Sequence, residues 1–218
     1  MPQHKYIPVA LNMESRSAVV VGGGEPAYLK ATLLVDFGIS TTVIVEPATD
    51  VDARLQELAE VGAITLHDRG YGSDDLEGHH LAVVATGDRS TDYRIERDAR
   101  ARGLLVNVVD DPAHCDFFAS AYVRHGPISI AVSSGGASPG FTAALKDDVA
   151  MRYGPEIEQQ FSHYITWRKM VRDLVDSVHE RERIWRDLRV AGLYNVLREK
   201  GPDAALKLIE SRLDKCSS

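Results

Sequence analysis

Cysteine is nearly absent from this 218-residue chain, which has two, Cys115 and Cys216. Two are too few for a disulfide framework, so a reducing, cytoplasmic setting is expected. Long apolar runs are missing as well. No stretch approaches the roughly 20 apolar residues of a membrane span, and no membrane association is expected. The opening segment up to Ser17 has only a short apolar stretch, interrupted by Met13-Glu14-Ser15-Arg16, and does not read as a signal peptide. A basic excess is lacking too: the formal net charge is −7, the wrong sign for a nucleic-acid binder. Nor is the composition biased. At 44% hydrophobic and 26% charged it is globular, which argues against disorder, a collagen-like chain or a coiled-coil rod.

What is present is unevenly distributed. Residues 1–112 carry 10 Lys+Arg against 18 Asp+Glu, and residues 113–218 carry 15 against 14. The acidic excess therefore belongs to the first half, which suggests two parts with different tasks. The length suffices for one sizeable core or two small ones.

The first half alternates short β-branched runs with amphipathic stretches. Strands are expected at 17–21, 41–45, 63–66, 81–85 and 104–109, with helices over 25–37, 51–61 and 91–102. Leu29, Leu33, Leu34 and Phe37 are expected to face the sheet from the first helix. Repeated strand and helix with continuously apolar strands implies an α/β fold with a Rossmann-like parallel sheet covered on both faces.

Gly22-Gly23-Gly24-Glu25-Pro26-Ala27 joins the first strand to the first helix and fits G-x-G-x-x-A at Gly22, Gly24 and Ala27. In such a turn the first glycine permits the tight bend, the second lets backbone approach a pyrophosphate, and the small third residue lets helix pack on strand. The helix start offers N–H groups and the positive end of its dipole to phosphate, although Pro26 removes one N–H. Glu46 closes the second strand about 20 residues further on, where a carboxylate binds ribose hydroxyls and repels a 2′-phosphate. NAD is thus the expected cofactor, with Gly22, Gly24, Glu25, Pro26, Glu46, Pro47 and Thr86 as candidate contacts. Thr86 belongs to Ala85-Thr86-Gly87-Asp88, at a strand's C-terminal end, where open α/β sheets bind ligands; the same four residues also read as a polar turn and helix cap.

The second half differs. Runs at 118–123 and 128–132 read as a β-hairpin around Arg124-His125-Gly126-Pro127. The polar loop Ser133-Ser134-Gly135-Gly136-Ala137-Ser138-Pro139 then precedes a helix, as an anion cradle or a plain linker would. Helices are expected over 140–153, 155–178, 180–190, 192–199 and 202–214, with Ile157, Phe161, Tyr164, Ile165 and Trp167 packing around a helical core. The expected division is 1–112 for dinucleotide binding, 113–145 for the hairpin and the loop, and 146–218 for a helical domain.

Four motifs in order, Val19-Val20-Val21-Gly22-Gly23-Gly24-Glu25, Ala85-Thr86-Gly87-Asp88, Asn107-Val108-Val109-Asp110-Asp111-Pro112 and Ser133 to Pro139, resemble the precorrin-2 dehydrogenase / sirohydrochlorin ferrochelatase family, the oxidase–chelatase module of siroheme synthase. The resemblance covers about residues 6–150. It implies an NAD-binding Rossmann domain, a dimerisation segment at 113–145 and a helical C-terminal domain. It also implies NAD-dependent oxidation of precorrin-2 to sirohydrochlorin, followed in some members by Fe²⁺ insertion, with Fe²⁺ or Co²⁺ then a further substrate. A homodimer in the cytoplasm is implied, and at this length methylation is expected from a separate protein.

By the same resemblance Asp110 is the catalytic carboxylate. It would accept the proton lost with hydride, or the pyrrole N–H protons displaced by metal. Read alone, Asp110 is an end-of-strand turn residue. Ser134 and Gly135 match the family's tetrapyrrole loop. Arg124, Lys146, Arg152, Arg168 and Lys169 are candidate partners for substrate carboxylates, Arg124 and Lys146 foremost. The chain departs from the family at Pro26, Leu29 and Ser120 and has Ala143 and Ala144 where an arginine is common, while Lys30 is kept. No resident metal is expected: Asp110, His114 and Cys115 lack a zinc spacing, and His114 reads as a loop residue. Two other readings remain, a chelatase or tetrapyrrole-binding protein without dehydrogenase activity, and a nucleotide-sensing regulatory Rossmann domain.

Overall fold

The computed structural model describes residues 6–46 and 50–214. The chain divides into two compact units, one of residues 1–119 with 133–138, the other of 120–132 with 139–218. The Ser-Gly-Gly loop thus clusters with the first unit and the hairpin with the second.

The first unit is a parallel five-stranded sheet of order β3-β2-β1-β4-β5: β1 (Ser17–Val21), β2 (Ser40–Val45), β3 (Thr65–Asp68), β4 (Leu81–Val84) and β5 (Leu105–Val108). Its strands form because Val and Ile side chains pack well on a pleated surface covered from both sides. Ala18, Val20, Val43, Val45, Leu81 and Val83 pack on α1 (Glu25–Asp36) and α2 (Ala53–Glu60). Val19, Val21, Ile44, Ala82, Val84, Val106 and Val108 pack on α3 (Arg89–Ala101) and on Leu76, from a 3₁₀ turn at Ser73–Leu76. Each buried valine contributes about 1.5–3 kcal/mol relative to exposure.

Helix α1 corrects one expectation. It buries Ala27, Ala31 and Leu34, whereas Leu29 and Phe37 are exposed. Two alanines let the helix backbone approach the sheet closely, which turns the larger side chains at 29 and 37 outward.

Register fixes the edge where ligands bind. Val21 pairs with Ile44 and with Val84, and Val84 pairs with Val108. The ladder runs one residue further, through Gly22 N–H to Ile44 O (2.8 Å), Ala85 N–H to Val21 O (2.8 Å) and Val109 N–H to Val84 O (2.9 Å). The loops that begin at Gly22, Ala85 and Val109 therefore leave from one edge. The chain reverses its winding between β1 and β4, the switch point where such sheets bind ligands.

In the second unit β6 (Ala121–His125) and β7 (Ile128–Val132) form an antiparallel hairpin. Its turn is the two residues Gly126 and Pro127, shorter than the four expected. Gly126 has φ 53°, as the first position of a type II′ turn requires. Helix α4 (Pro139–Arg152) packs on both strands. Trp167 and Val171 from α5 (Glu156–Leu174), Ile184 and Leu188 from α6 (Val178–Val190), Leu193 and Leu197 from α7 (Leu193–Lys200), and Ala205 and Ile209 from α8 (Pro202–Leu213) form one core. Among the described residues no helix is long and apolar enough to cross a membrane.

Candidate functional site

The glycine run is shaped by two different demands. Gly22 has φ 139°, and a Cβ there would collide with the Ala85 carbonyl, so glycine is required by the fold itself. Gly24 caps α1 in extended conformation, and a Cβ there would meet only the Pro26 ring, at 3.6 Å. Open space therefore lies beside the helix start, where first-turn N–H groups have no intrahelical partner. Pro26 occupies the first turn, so it supplies no donor. Glu25 is exposed and reaches Arg54, 3.6 Å away.

Arg54 escapes sequence reasoning, since one arginine on a polar helix carries no signal. Asp52, the N-cap of α2, donates its N–H to Gly23 O at 2.8 Å and ties that helix to the glycine run. Arg54 pairs with Asp52 at 2.6 Å and stacks on Tyr28 at 4.0 Å. Asp52 holds the guanidinium's pKa above its ordinary value.

Glu46 is half-buried after β2. One carboxylate oxygen accepts the Tyr71 N–H at 3.0 Å, and Tyr71 is packed in the sheet core with its hydroxyl donating to Asp98 at 3.3 Å. The carboxylate is held by one oxygen and retains a second for a ligand. An open helix start, a glycine that packing does not require and an anchored acid fit a dinucleotide. Pro47 lies outside the described residues.

Thr86 is committed elsewhere. Its hydroxyl donates to buried Asp92 at 2.6 Å and accepts from Asp88 N–H at 3.2 Å. Asp88 caps α3, accepting from Thr91 N–H and Ser90 Oγ at 2.8 Å each. The hydrogen bonds from the Thr91 and Ser90 side chains hold its carboxyl down at about 2. The side chains of this turn thus build the turn and cap.

Asp110 follows β5 with φ 59°, a left-handed conformation that asparagine and aspartate tolerate better than other side chains. Its carbonyl accepts from Arg89 at 3.0 Å, while its exposed carboxylate has no hydrogen-bond or ion-pair partner among the described residues. Lys30, half-buried on α1, feels the charge of Asp110. Burial lowers the lysine's pKa, and Cys115 and Asp110 partly restore it. Cys115 lies under the same loop, its thiol 3.2 Å from Val108 O and 3.3 Å from Asp111 O, and burial pushes its pKa up. His114 was expected in a loop but closes a 3₁₀ turn at Pro112–His114, paired with Glu96 at 3.2 Å and stacked on Tyr93. Among the described residues no three His, Cys, Asp or Glu side chains converge as a metal site would need.

The Ser-Gly-Gly loop folds on itself and on aromatic rings. Ser133 Oγ accepts from Gly135 N–H at 3.1 Å, and Ser134 Oγ accepts from Ser138 N–H at 2.9 Å. Gly135 lies against Tyr6 and Gly136 against Phe118, two rings in edge contact at 5.0 Å. Phe118 is therefore outside β6, where a strand was expected to begin. Arg124 and Lys146 belong to the second unit. Arg124 donates to Gly126 O at 3.4 Å, and Lys146 pairs with Asp147 at 2.6 Å. In that unit Ile157, Phe161, Tyr164 and Ile165 line an apolar cavity of about 450 Å³ together with Arg168 and Trp185, and Tyr164 also packs against the helical core around Trp167, as expected of it.

The family model described as "Putative NAD(P)-binding" matches residues 9–121, and "Sirohaem biosynthesis protein central" matches residues 125–150. The siroheme synthase of Ectopseudomonas mendocina is 34% identical over 209 residues, which are 96% of this chain and 44% of that protein. The siroheme synthase of Methylococcus capsulatus is 33% identical over 207 residues, 94% of this chain and 43% of that protein. The chain thus spans less than half the length of these curated relatives. Among solved structures, "SirC, precorrin-2 dehydrogenase" superposes with a TM-score of 0.66 at 22% identity, over 96% of this chain and 100% of that one, and so shares the fold.

Proposed function

The chain belongs to the family described as putative NAD(P)-binding, and from that membership and its sirohaem-biosynthesis central segment we propose that it oxidises precorrin-2 to sirohydrochlorin with NAD⁺. The observation that carries the reading is Asp110: a carboxylate with no hydrogen-bond or ion-pair partner among the described residues, in a left-handed backbone, at the same sheet edge as the Gly22–Gly24 turn. A side chain not engaged within the protein is accessible to a proton donor on a bound substrate.

The residues divide the work. The first-turn N–H groups of α1 and the open flank of Gly24 would hold the pyrophosphate, and the free oxygen of Glu46 would take ribose hydroxyls. The NAD⁺, when bound, supplies a hydride acceptor. Oxidation removes a hydride and a proton from the macrocycle, and Asp110 accepts the proton. Fe²⁺ insertion into sirohydrochlorin releases two pyrrole protons, which the same carboxylate can take in turn, so chelation (with Fe²⁺ or Co²⁺ as substrate) is the second activity of the site. Ser134 and Gly135 are proposed as substrate contacts of the first unit, and Arg124 and Lys146 as partners of substrate carboxylates from the second. Residues 113–145 are the proposed dimerisation segment, supported by a two-stranded hairpin that is marginal alone. The proposed working form is a cytoplasmic homodimer.

The test is anaerobic incubation of the full chain with precorrin-2 and NAD⁺. NADH and sirohydrochlorin are expected, and no turnover would overturn the assignment. The Asp110→Asn variant should bind NAD⁺ and stay folded while losing about 100-fold or more in rate. A wild-type rate would remove Asp110 from the mechanism.

A further inference from the structure

Helix α3 carries Arg89, Tyr93, Glu96 and Arg100 at spacings that place them on one face. All four meet the segment after β5. Arg89 Nη2 donates to Asp110 O at 3.0 Å, and its Nη1 lies 3.5 Å from both Val109 O and Asp111 Oδ2. The Tyr93 hydroxyl donates to Asp111 Oδ2 at 2.9 Å, and its ring stacks on His114 at 4.4 Å. Glu96 takes His114 Nδ1 at 3.2 Å and Arg100 Nε at 3.1 Å. Arg100 reaches Asp116 at 3.1 Å, whose other carboxylate oxygen accepts from Val106 N–H at 3.0 Å. A rigid helix therefore fastens the loop on both sides of Asp110 while leaving the Asp110 side chain untouched.

That pattern is more than surface pairing needs. Exposed ion pairs contribute little to stability, and the Arg89 side chain is 49% exposed. A left-handed non-glycine residue, by contrast, costs about 1–2 kcal/mol and persists only where its surroundings enforce it. Without the contacts to its carbonyl and to the next side chain, the backbone at 110 relaxes and the carboxylate swings away from the edge.

We propose that Arg89 and Tyr93 are positioning residues for the Asp110 carboxylate, acting through the Asp110 carbonyl and the Asp111 side chain. This rests on Asp110 being the proton acceptor. Misplacing a catalytic group by about 1 Å costs on the order of 100-fold, so partial release should fall between that and wild type.

The experiment compares Arg89→Met, Arg89→Lys, Tyr93→Phe and, as a control on the same helix outside the clamp, Arg97→Met, in the full chain with precorrin-2 and NAD⁺. Arg89→Met and Tyr93→Phe should each lower kcat by about tenfold or more with KM for NAD⁺ and Tm unchanged. Arg89→Lys should recover part of the rate, and Arg97→Met should match wild type. Tyr93→Phe removes one hydroxyl, so it reports even if Arg89→Met fails to fold. Wild-type kcat in Arg89→Met and Tyr93→Phe beside an inactive Asp110→Asn would overturn the proposal, as would losses that follow Tm or KM. Full activity of Asp110→Asn would instead overturn the role of Asp110 on which it rests.

Discussion

The carbonyl of Ala85 fills the space that a side chain on Gly22 would need, while beside Gly24, two residues on, that space is open. Two glycines of one motif are thereby separated by purpose. One lets β4 lie against the end of β1, and the other leaves room for something outside the chain.

Alanine substitution should separate them experimentally. Gly22→Ala forces the end of β4 away and should destabilise by about 1–3 kcal/mol or more, seen as a lower Tm without ligand. Gly24→Ala should melt as wild type does yet bind NAD⁺ at least about tenfold more weakly, by calorimetric titration. Wild-type affinity in Gly24→Ala would argue against a pyrophosphate beside residue 24.

Lys30 sets up a test on the alkaline side. Burial lowers its folded pKa below the usual 10.5, so the unfolded chain binds the proton more tightly. Its charge therefore costs stability at neutral pH, and stability recovers as pH rises toward 10.5. Lys30→Met should raise Tm at neutral pH, with the gain over wild type shrinking toward that limit in thermal melts. A lower Tm at neutral pH would show that the lysine makes a stabilising contact instead.

Asp88 governs the acid side. Its folded pKa is about 2 against an ordinary 3.8, so the stability it contributes is complete above 3.8 and is lost as pH falls through about 2. Asparagine caps helices as well as aspartate does but does not titrate. In denaturant titrations across that window, Asp88→Asn should lose stability less steeply with acid than wild type. Identical slopes would assign the acid sensitivity to other carboxylates, such as Asp52 or Asp75, whose pKa values are lowered by Arg54 and Arg69.

Much of the fold was legible because its signals are local. Ser17–Val21 and the helices after Pro139 announce themselves through β-branched runs, glycines and prolines. The misreadings have tertiary causes. Strand β3 was expected at 63–66 and lies at Thr65–Asp68, because pairing with β2 sets its register. The turn at Ser73–Leu76 was missed because its stability comes from burying Leu76 and from Asp75 accepting the Gly72 N–H. Of the candidate site, the glycine run and Glu46 were singled out by their spacing. The grip of α3 on the loop after β5 was not. Arg89 and Tyr93 on a polar helix look like any solvated face until that loop is known to lie against them.

The path of the chain carries one more consequence. It passes from one compact unit to the other after Ala119, returns after Val132, and leaves again after Ser138. Each unit is therefore built from two separate stretches of chain. A piece ending at Ala119 lacks the loop that rests on Tyr6 and Phe118, and a piece starting at Pro139 lacks the hairpin that supports α4. Neither piece alone contains every segment that its own unit uses.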